Sequence, residues 1–212
     1  LVNTGQVYKE DFAPGTPGAD IQAASAWNTT TNSDVIIAVL DSGVDYLHED
    51  LADNIWTNPL TGTHGYDAIT GTLEPMDLAS HGTHCAGIIG AVGNNGKGGS
   101  GVNWNATILP VRFLNSFGTG TVSDEIEAIL WAARNGAQIF SCSYGGSSFS
   151  QAEYEVIAGT EGLFICAAGN SGQDNDFEPH YPSSYDLDNI ISVAATNADD
   201  ELASFSNFGK VS

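Results

Sequence analysis

This 212-residue chain carries five lysines and arginines against 26 aspartates and glutamates, a net charge of −21. Such a surface repels phosphate and speaks against nucleic acid and anionic membranes as partners. The length suits one domain with a sizeable core, and no apolar run reaches the ~20 residues that span a bilayer.

Residues 1–20 combine glycine, proline and acids without periodicity and read as a surface arm. The opening Leu1-Val2-Asn3, without methionine or signal peptide, reads as a processed end. Ile21 to Trp27 has helical character, and Asn28 to Asp34 is a polar turn. Then come six apolar, mostly β-branched residues, Val35 to Leu40, as a strand buried on both faces requires. The run ends on Asp41 and a Ser-Gly turn. A carboxylate therefore stands at the carboxyl end of a central strand, where open α/β sheets build their sites. It is costly there unless something pairs with it. From Tyr46 to Ser80 the chain is loop-like, with His48, Asp50, Asp53, Asp67, Glu74 and Asp77 along it. A loop of that length is unusual unless it is functional.

Ser80 to Gly90 is dominated by small and apolar residues and reads as a buried helix, with His81 in its first turn. A Gly/Asn-rich loop, Val92 to Gly101, leads to a second buried strand, Thr107 to Phe113, and to an open segment, Ser116 to Gly120. Thr121 caps a helix with Asp124 three residues on; Ile126, Ile129, Leu130 and Ala133 form its apolar stripe and Gly136 closes it. Strands at Ala137–Ser143, Leu163–Ala168 and Ile190–Ala195 follow, with a helix at Gln151–Gly159 and a polar loop from Gln173 to Asp188. This alternation predicts an α/β fold: a doubly wound, mostly parallel sheet with helices on both faces. Cys85, Cys142 and Cys166 each lie in an apolar run and read as small core residues, with one bridge between Cys142 and Cys166 left open.

Three polar side chains now stand where strands end or helices begin: Asp41, His81 and Asn170. A buried Asp beside a His holds the imidazole in one tautomer and stabilises the imidazolium formed on taking a proton. A His in the first turn of a helix is pushed towards neutrality by the dipole, which a neighbouring Asp opposes. The Asn170 amide can donate to a developing oxyanion. Singly, each is more often a turn, cap or structural residue; their joint placement is what points to chemistry.

The local signatures are more specific. Asp41-Ser42-Gly43-Val44-Asp45 with His48 and Asp50-Leu51, then His81-Gly82-Thr83-His84-Cys85-Ala86-Gly87, resemble the subtilisin-like serine peptidases, or subtilases. Ser143-Tyr144-Gly145-Gly146, Ala167-Ala168-Gly169-Asn170 and Ala203 to Gly209 continue the likeness, which runs from about Ile21 to the end. The Cys after His-Gly-Thr-His is similar to the thermitase-like branch. The resemblance implies that residues 21–212 are a catalytic domain, incomplete at its C-terminus, of a secreted endopeptidase acting on proteins or peptides. Asp41 would orient His81, His81 would serve as base and then acid, and Asn170 would hold the oxyanion. Ser116, Phe117 and Gly118, with Ser143, Tyr144, Gly145 and Gly146, would lie in edge strands holding an extended peptide by its backbone.

In that family the nucleophile sits in a Gly-Thr-Ser-Met-Ala block opening a central helix, and this chain ends at Lys210-Val211-Ser212 before any such block. The serines in Gly99-Ser100-Gly101, Gly145 to Ser148 and Gly169 to Gly172 read as turn residues. The expectation is that the nucleophile lies beyond these residues and that the 212-residue chain alone is inactive. A propeptide or the remaining C-terminal part would be its further partner. The alternative is a non-catalytic module that captures an extended peptide or partner chain. A nucleotide-binding reading fails for want of a G-x-G-x-x-G between strand and helix.

The resemblance also implies a structural calcium site: side chains from Asp50 and Asn95, carbonyls from Val92, Lys97 and Gly99, with Asp11 from the arm as a further ligand. Hard oxygen donors on a flexible loop are what calcium favours. A second site near Asp67 looks eroded, with Thr70, Thr72 and Met76 where better ligands would stand. Zinc at His81 and His84 lacks a convincing third ligand.

Overall fold

The computed structural model describes residues 15–210. Within them six strands form one sheet: β1 Asn32–Asp41, β2 Tyr66–Asp67, β3 Asn105–Arg112, β4 Ile139–Cys142, β5 Leu163–Ala167 and β6 Ile190–Val193. They lie in the order β2-β3-β1-β4-β5-β6, every pair parallel. The helices are α1 Ala23–Ala26, α2 His81–Gly90, α3 Val122–Arg134 and α4 Gln151–Gly159, with a 3₁₀ turn at Ala52–Asn54. The doubly wound α/β expectation holds. None of these helices is long and apolar enough to cross a membrane.

The sheet is wound around β1, which pairs with β3 on one side and β4 on the other. Alternate residues of its apolar run go to opposite faces. Ala38 and Leu40 join a core with Ala128, Ile129 and Ala132 of α3 and Ile157 of α4. Val39 joins a second core with Ala86 of α2 and Ile108 of β3. Each buried Val, Leu or Ile contributes roughly 1.5–3 kcal/mol, so a continuous apolar run is the only composition that serves both layers. Chain order reverses direction across β1, leaving a crevice at the carboxyl ends of β1, β3 and β4.

Several expectations need correction. The helix expected over Ile21–Trp27 is the four-residue α1. The α2 helix is buried on one side only, through Gly82, Ala86 and Gly90, while Ile88 is 54% exposed. Small residues are needed where it touches β1 and β3, and that need does not extend around it. The buried stripe of α3 is Glu125, Ala128, Ile129 and Ala132, one position away from the apolar stripe. The reason is a buried acid, Glu125. The Thr121 cap holds, its Oγ1 accepting from the Asp124 amide at 3.2 Å, and α4 has a cap not read from the sequence, the Ser150 hydroxyl accepting from the Glu153 amide at 3.3 Å. Cys142 and Cys166 are register partners on β4 and β5, yet both are free thiols, as is Cys85. The described end of the arm is tied to a loop, with the Thr16 amide donating to the Ala198 carbonyl at 3.0 Å and its hydroxyl to Asp199 at 2.6 Å.

Candidate active site

Asp41 ends β1 and is 1% exposed. Its carboxylate accepts from the Ser42 amide at 2.7 Å and faces the His81 imidazole, with Nδ1 2.8 and 2.9 Å from the two oxygens. Because a carboxylate only accepts, Nδ1 carries the proton and Nε2 is left as the basic nitrogen. The His81 side chain is 53% exposed. A buried acid thus holds an imidazole that can still be reached from outside.

The approach is possible because of two glycines. Gly43 turns the chain after Asp41 at φ +99°, a left-handed conformation that side chains resist. A Cβ on Gly82 would lie 2.1 Å from the Gly43 carbonyl oxygen and 2.9 Å from Asp41 Cβ. The start of α2 is held by Asp77, which the sequence did not single out. Its carboxylate accepts from the Thr83 amide at 2.9 Å and hydroxyl at 2.6 Å, from the Ala79 and Ser80 amides, and from the Ser42 hydroxyl at 2.8 Å. Burial alone would raise the Asp77 pKa; these hydrogen bonds, led by Thr83, outweigh it and lower it. One turn along α2, the Cys85 sulfur lies 4.0 Å from His81 Nδ1, and burial raises the pKa of this thiol. Asp41, His81 and Cys85 are the one group of three His, Cys, Asp or Glu side chains close enough to share an ion among the described residues.

Asp41 and His81 open into a cavity of about 720 Å³ that is also lined by Ser116, Phe117, Gly118, Ser143, Tyr144, Gly145 and Gly146. The expected peptide-holding residues therefore surround the dyad, with two corrections. Ser116–Gly118 is a turn rather than an edge strand, because Asn115 takes the Phe117 amide at 2.8 Å on its side chain and the Gly118 amide at 2.9 Å on its carbonyl. Gly146 is already paired in both directions with Tyr181, at 2.8 and 2.7 Å. That leaves Ser143 to Gly145 as the open strand-like stretch.

Asn170 follows β5 on an exposed turn and does not line this cavity. Two further residues hold its surroundings: Asn207, from the Ala203 to Gly209 block, and His180, which no motif highlighted. Buried Asn207 accepts from the Ser171 amide at 2.8 Å on its side-chain Oδ1 and donates its backbone N–H to the Gly169 carbonyl at 3.0 Å. The His180 ring packs between Gly145 and Gly169; a Cβ on Gly145 would lie 2.1 Å from its Cε1. Burial lowers the His180 pKa, which keeps the ring neutral.

The expected calcium loop is folded on Asp50, which is 4% exposed. Its oxygens accept from Asn95 Nδ2 at 2.6 Å and the Gly99 amide at 2.9 Å. Those two contacts, Asn95 first, lower its pKa and keep it ionised. The Val92 amide donates to the Asp50 carbonyl at 2.9 Å, the Lys97 amide to Asn95 Oδ1 at 2.9 Å, and Lys97 Nζ lies 3.5 Å from Glu49. A Cβ on Gly98 would meet Asp50 Oδ2 at 2.3 Å. The donor chemistry fits a hard cation: one buried carboxylate, an amide whose two ends can exchange, and backbone carbonyls. Asp11 lies outside the described residues. Asp67, near the eroded site, is instead paired with Arg112 at 2.7 Å.

Residues 32–212 match the Subtilase family. The chain belongs to that family. It is 41% identical over 188 residues to the thermophilic serine proteinase of Bacillus sp. strain AK1, covering 87% of this chain and 44% of that protein. It is 37% identical over 194 residues to thermitase of Thermoactinomyces vulgaris, covering 90% and 65%. Among solved structures, a cold adapted subtilisin-like serine proteinase superposes with a TM-score of 0.72 at 26% identity, over 99% of this subtilase chain and 69% of that one. The chain therefore spans less than two thirds of the length of these two sequence relatives.

Proposed function

We propose that this subtilase chain is the Asp- and His-bearing part of a serine endopeptidase that hydrolyses peptide bonds in proteins, with the serine supplied from outside these 212 residues. The carrying observation is the 2.8 Å contact of His81 Nδ1 with buried Asp41 at the mouth of the cavity. With Nδ1 on Asp41, Nε2 takes the proton of an attacking hydroxyl and later returns it to the leaving amine, while Asp41 stabilises the imidazolium between. Ser143 to Gly145 hold the substrate backbone, and Asn170 donates to the oxyanion, a role that in subtilisin is worth about 10²–10³ in turnover.

A structural calcium at the Asp50 loop belongs to the same reading, held by Asp50, Asn95 and the Val92, Lys97 and Gly99 carbonyls, with Asp11 as a further ligand. A calcium-dependent protease of Trichormus variabilis is 30% identical over 220 residues, which supports it. Secretion is supported by likeness to a halolysin-like extracellular serine protease of Natrialba magadii, 34% identical over 212 residues.

The full-length protein should hydrolyse casein, lose that activity to a fluorophosphonate, and lose it on His81→Ala. Hydrolysis indifferent to both treatments ends the reading. One observation favours a second reading: among the described residues no serine hydroxyl hydrogen-bonds the His81 ring. The 212-residue chain would then capture an extended peptide without turnover, and measurable affinity with no cleavage marks that outcome.

A further inference from the structure

The cavity holds two carboxyl groups that the proton-handling pair does not use. Glu125 and Glu153 are 5% and 4% exposed, and both line the space that Asp41 and His81 line. Each stands one turn into the helix that follows a peptide-holding segment: Glu125 in α3 after Ser116–Gly120, Glu153 in α4 after Ser143–Gly146. Chain connectivity thus delivers both acids to the gap between those segments. They are fixed in place. The Tyr144 hydroxyl donates to Glu125 at 2.8 Å and the Tyr185 hydroxyl to Glu153 at 2.9 Å.

Two acids buried together are expensive, and residues of this type are almost never fully buried without a partner. Here no cation is spent on them. Among the described residues Arg112 pairs with Asp67 and Lys97 with Glu49, and neither Glu125 nor Glu153 makes an ion pair. A chain that needed only a tie between α3 and α4 could have used apolar side chains at no such cost.

We propose that Glu125 and Glu153 are specificity-determining residues that receive a cationic side chain, arginine or lysine, of an extended peptide lying in the cleft. The inference rests on the peptidase reading for the direction in which the peptide lies. It adds what that peptide carries. A guanidinium entering the pocket would find two carboxyl groups held by tyrosine hydroxyls, and carboxylate oxygens are what arginine's fork of donors matches. The surrounding groups are Cys142, Tyr144 and Tyr185, whose protons burial holds in place, together with Cys166. Among the described residues no lysine or arginine lines this cavity, and Asp41, His81 and Tyr181 are the other charged or titratable side chains facing it. In the empty pocket burial, then the neighbouring Glu153, raises the Glu125 pKa to about 8, so Glu125 is protonated at pH 7. Arrival of a cation favours its ionised form, and a proton leaves to solvent.

The test is calorimetry on the full-length protein with paired peptides that differ only in arginine or citrulline, the residue being walked along the sequence. At one position the arginine peptide should bind at least about tenfold more tightly, the worth of one modest charge contact. At pH 7 it should release protons, seen as a binding heat that depends on the buffer's ionisation enthalpy, while the citrulline peptide releases none. E125Q and E153Q should each lose both effects, with thermal melts confirming folded protein. Equal binding of the two peptides at every position overturns the proposal, and that comparison needs no variant. A preference that survives both substitutions also overturns it and leaves the pair as a tie between α3 and α4. Casein hydrolysis without an arginine preference leaves the peptidase reading standing and this one fallen. Arginine-selective binding without casein hydrolysis does the reverse.

Discussion

His81 Nδ1 sits 2.8 Å from Asp41 Oδ1 and 2.9 Å from Oδ2, so a single imidazole N–H is shared by a carboxylate that is 1% exposed. Asp41→Asn in the full-length protein keeps the shape but offers an amide, which favours the wrong imidazole tautomer. Turnover on a peptide substrate should fall about 10⁴-fold with KM little changed. A loss under tenfold would mean that the dyad does not carry the chemistry.

Gly82 makes that contact possible, since a Cβ there would land 2.1 Å from a backbone oxygen. Gly82→Ala should push the start of α2 away from β1 and lengthen the His81–Asp41 bond. We expect turnover to fall about 100-fold, the usual effect of misplacing a catalytic group by about 1 Å. Gly87→Ala on the same helix meets nothing within 4 Å. It should leave turnover alone and raise stability by about 0.4–1 kcal/mol. Kinetics and thermal melts on the pair separate local crowding from helix propensity.

Asp67 and Arg112 are 2% and 9% exposed and joined at 2.7 Å. Removing one partner strands the other's charge in the interior. Asp67→Ala should cost about 3–5 kcal/mol, measured by denaturant unfolding, while a double Asp67→Leu, Arg112→Met replacement should recover most of it. A single variant as stable as the parent would show that solvent reaches Arg112.

Five of the six strands were legible because a covered sheet demands unbroken apolar runs, as Val35 to Leu40 supplies, whereas β2, two residues at Tyr66–Asp67, lies within the stretch read as a loop. The α4 helix was legible over Gln151–Gly159, while its Ser150 cap emerged only from the structure. What was hidden follows from one cause: the sequence shows a residue's type but not the partner that justifies it. Asp77 looked like one acid among several on a long loop, and only its distance to Thr83 and Ser42 makes it the anchor of α2. Glu125 broke the apolar stripe of α3 because its partner, Glu153, comes from another helix. His180 acts through packing against Gly145 and Gly169, which no local signature encodes, and the Ala203 to Gly209 block names Asn207 without showing that it holds the turn at Gly169 and Ser171. The dyad was legible by contrast, since a strand-end Asp and a helix-start His each carry strong local patterns.

The Asp50 loop gives a prediction with two arms. Asp50 is kept ionised by the Asn95 amide and the Gly99 N–H, and its geometry is that of a loop closed on one anion. With calcium bound at a hundredfold excess over its dissociation constant, stability should rise by about 2.7 kcal/mol. A chelator should therefore lower Tm in the parent and leave Asp50→Ala unmoved. A parent indifferent to chelator would mark the loop as a hydrogen-bonded turn with no cation.

Acid pairs and acid anchors leave opposite marks on the pH dependence of stability. Burial, then Glu153, raises the pKa of Glu125 from 4.5 to about 8. The folded state thus binds a proton that the unfolded chain has released above 4.5. The contribution of Glu125 is complete below the unfolded value and is lost as pH rises through about 8. Asp77 is lowered below 3.8 by its hydrogen bonds, against the opposing effect of burial. Its contribution is present above 3.8 and is lost as pH falls through the folded value. E125Q should flatten the decline in Tm between pH 5 and pH 8, and Asp77→Asn should flatten the decline below pH 4, each kcal/mol reading as about 2–4 °C in a domain of this size. Melts across that range decide it: if E125Q loses as much Tm from pH 5 to pH 8 as the parent does, Glu125 ionises without resistance and the pocket is wetter than its burial indicates.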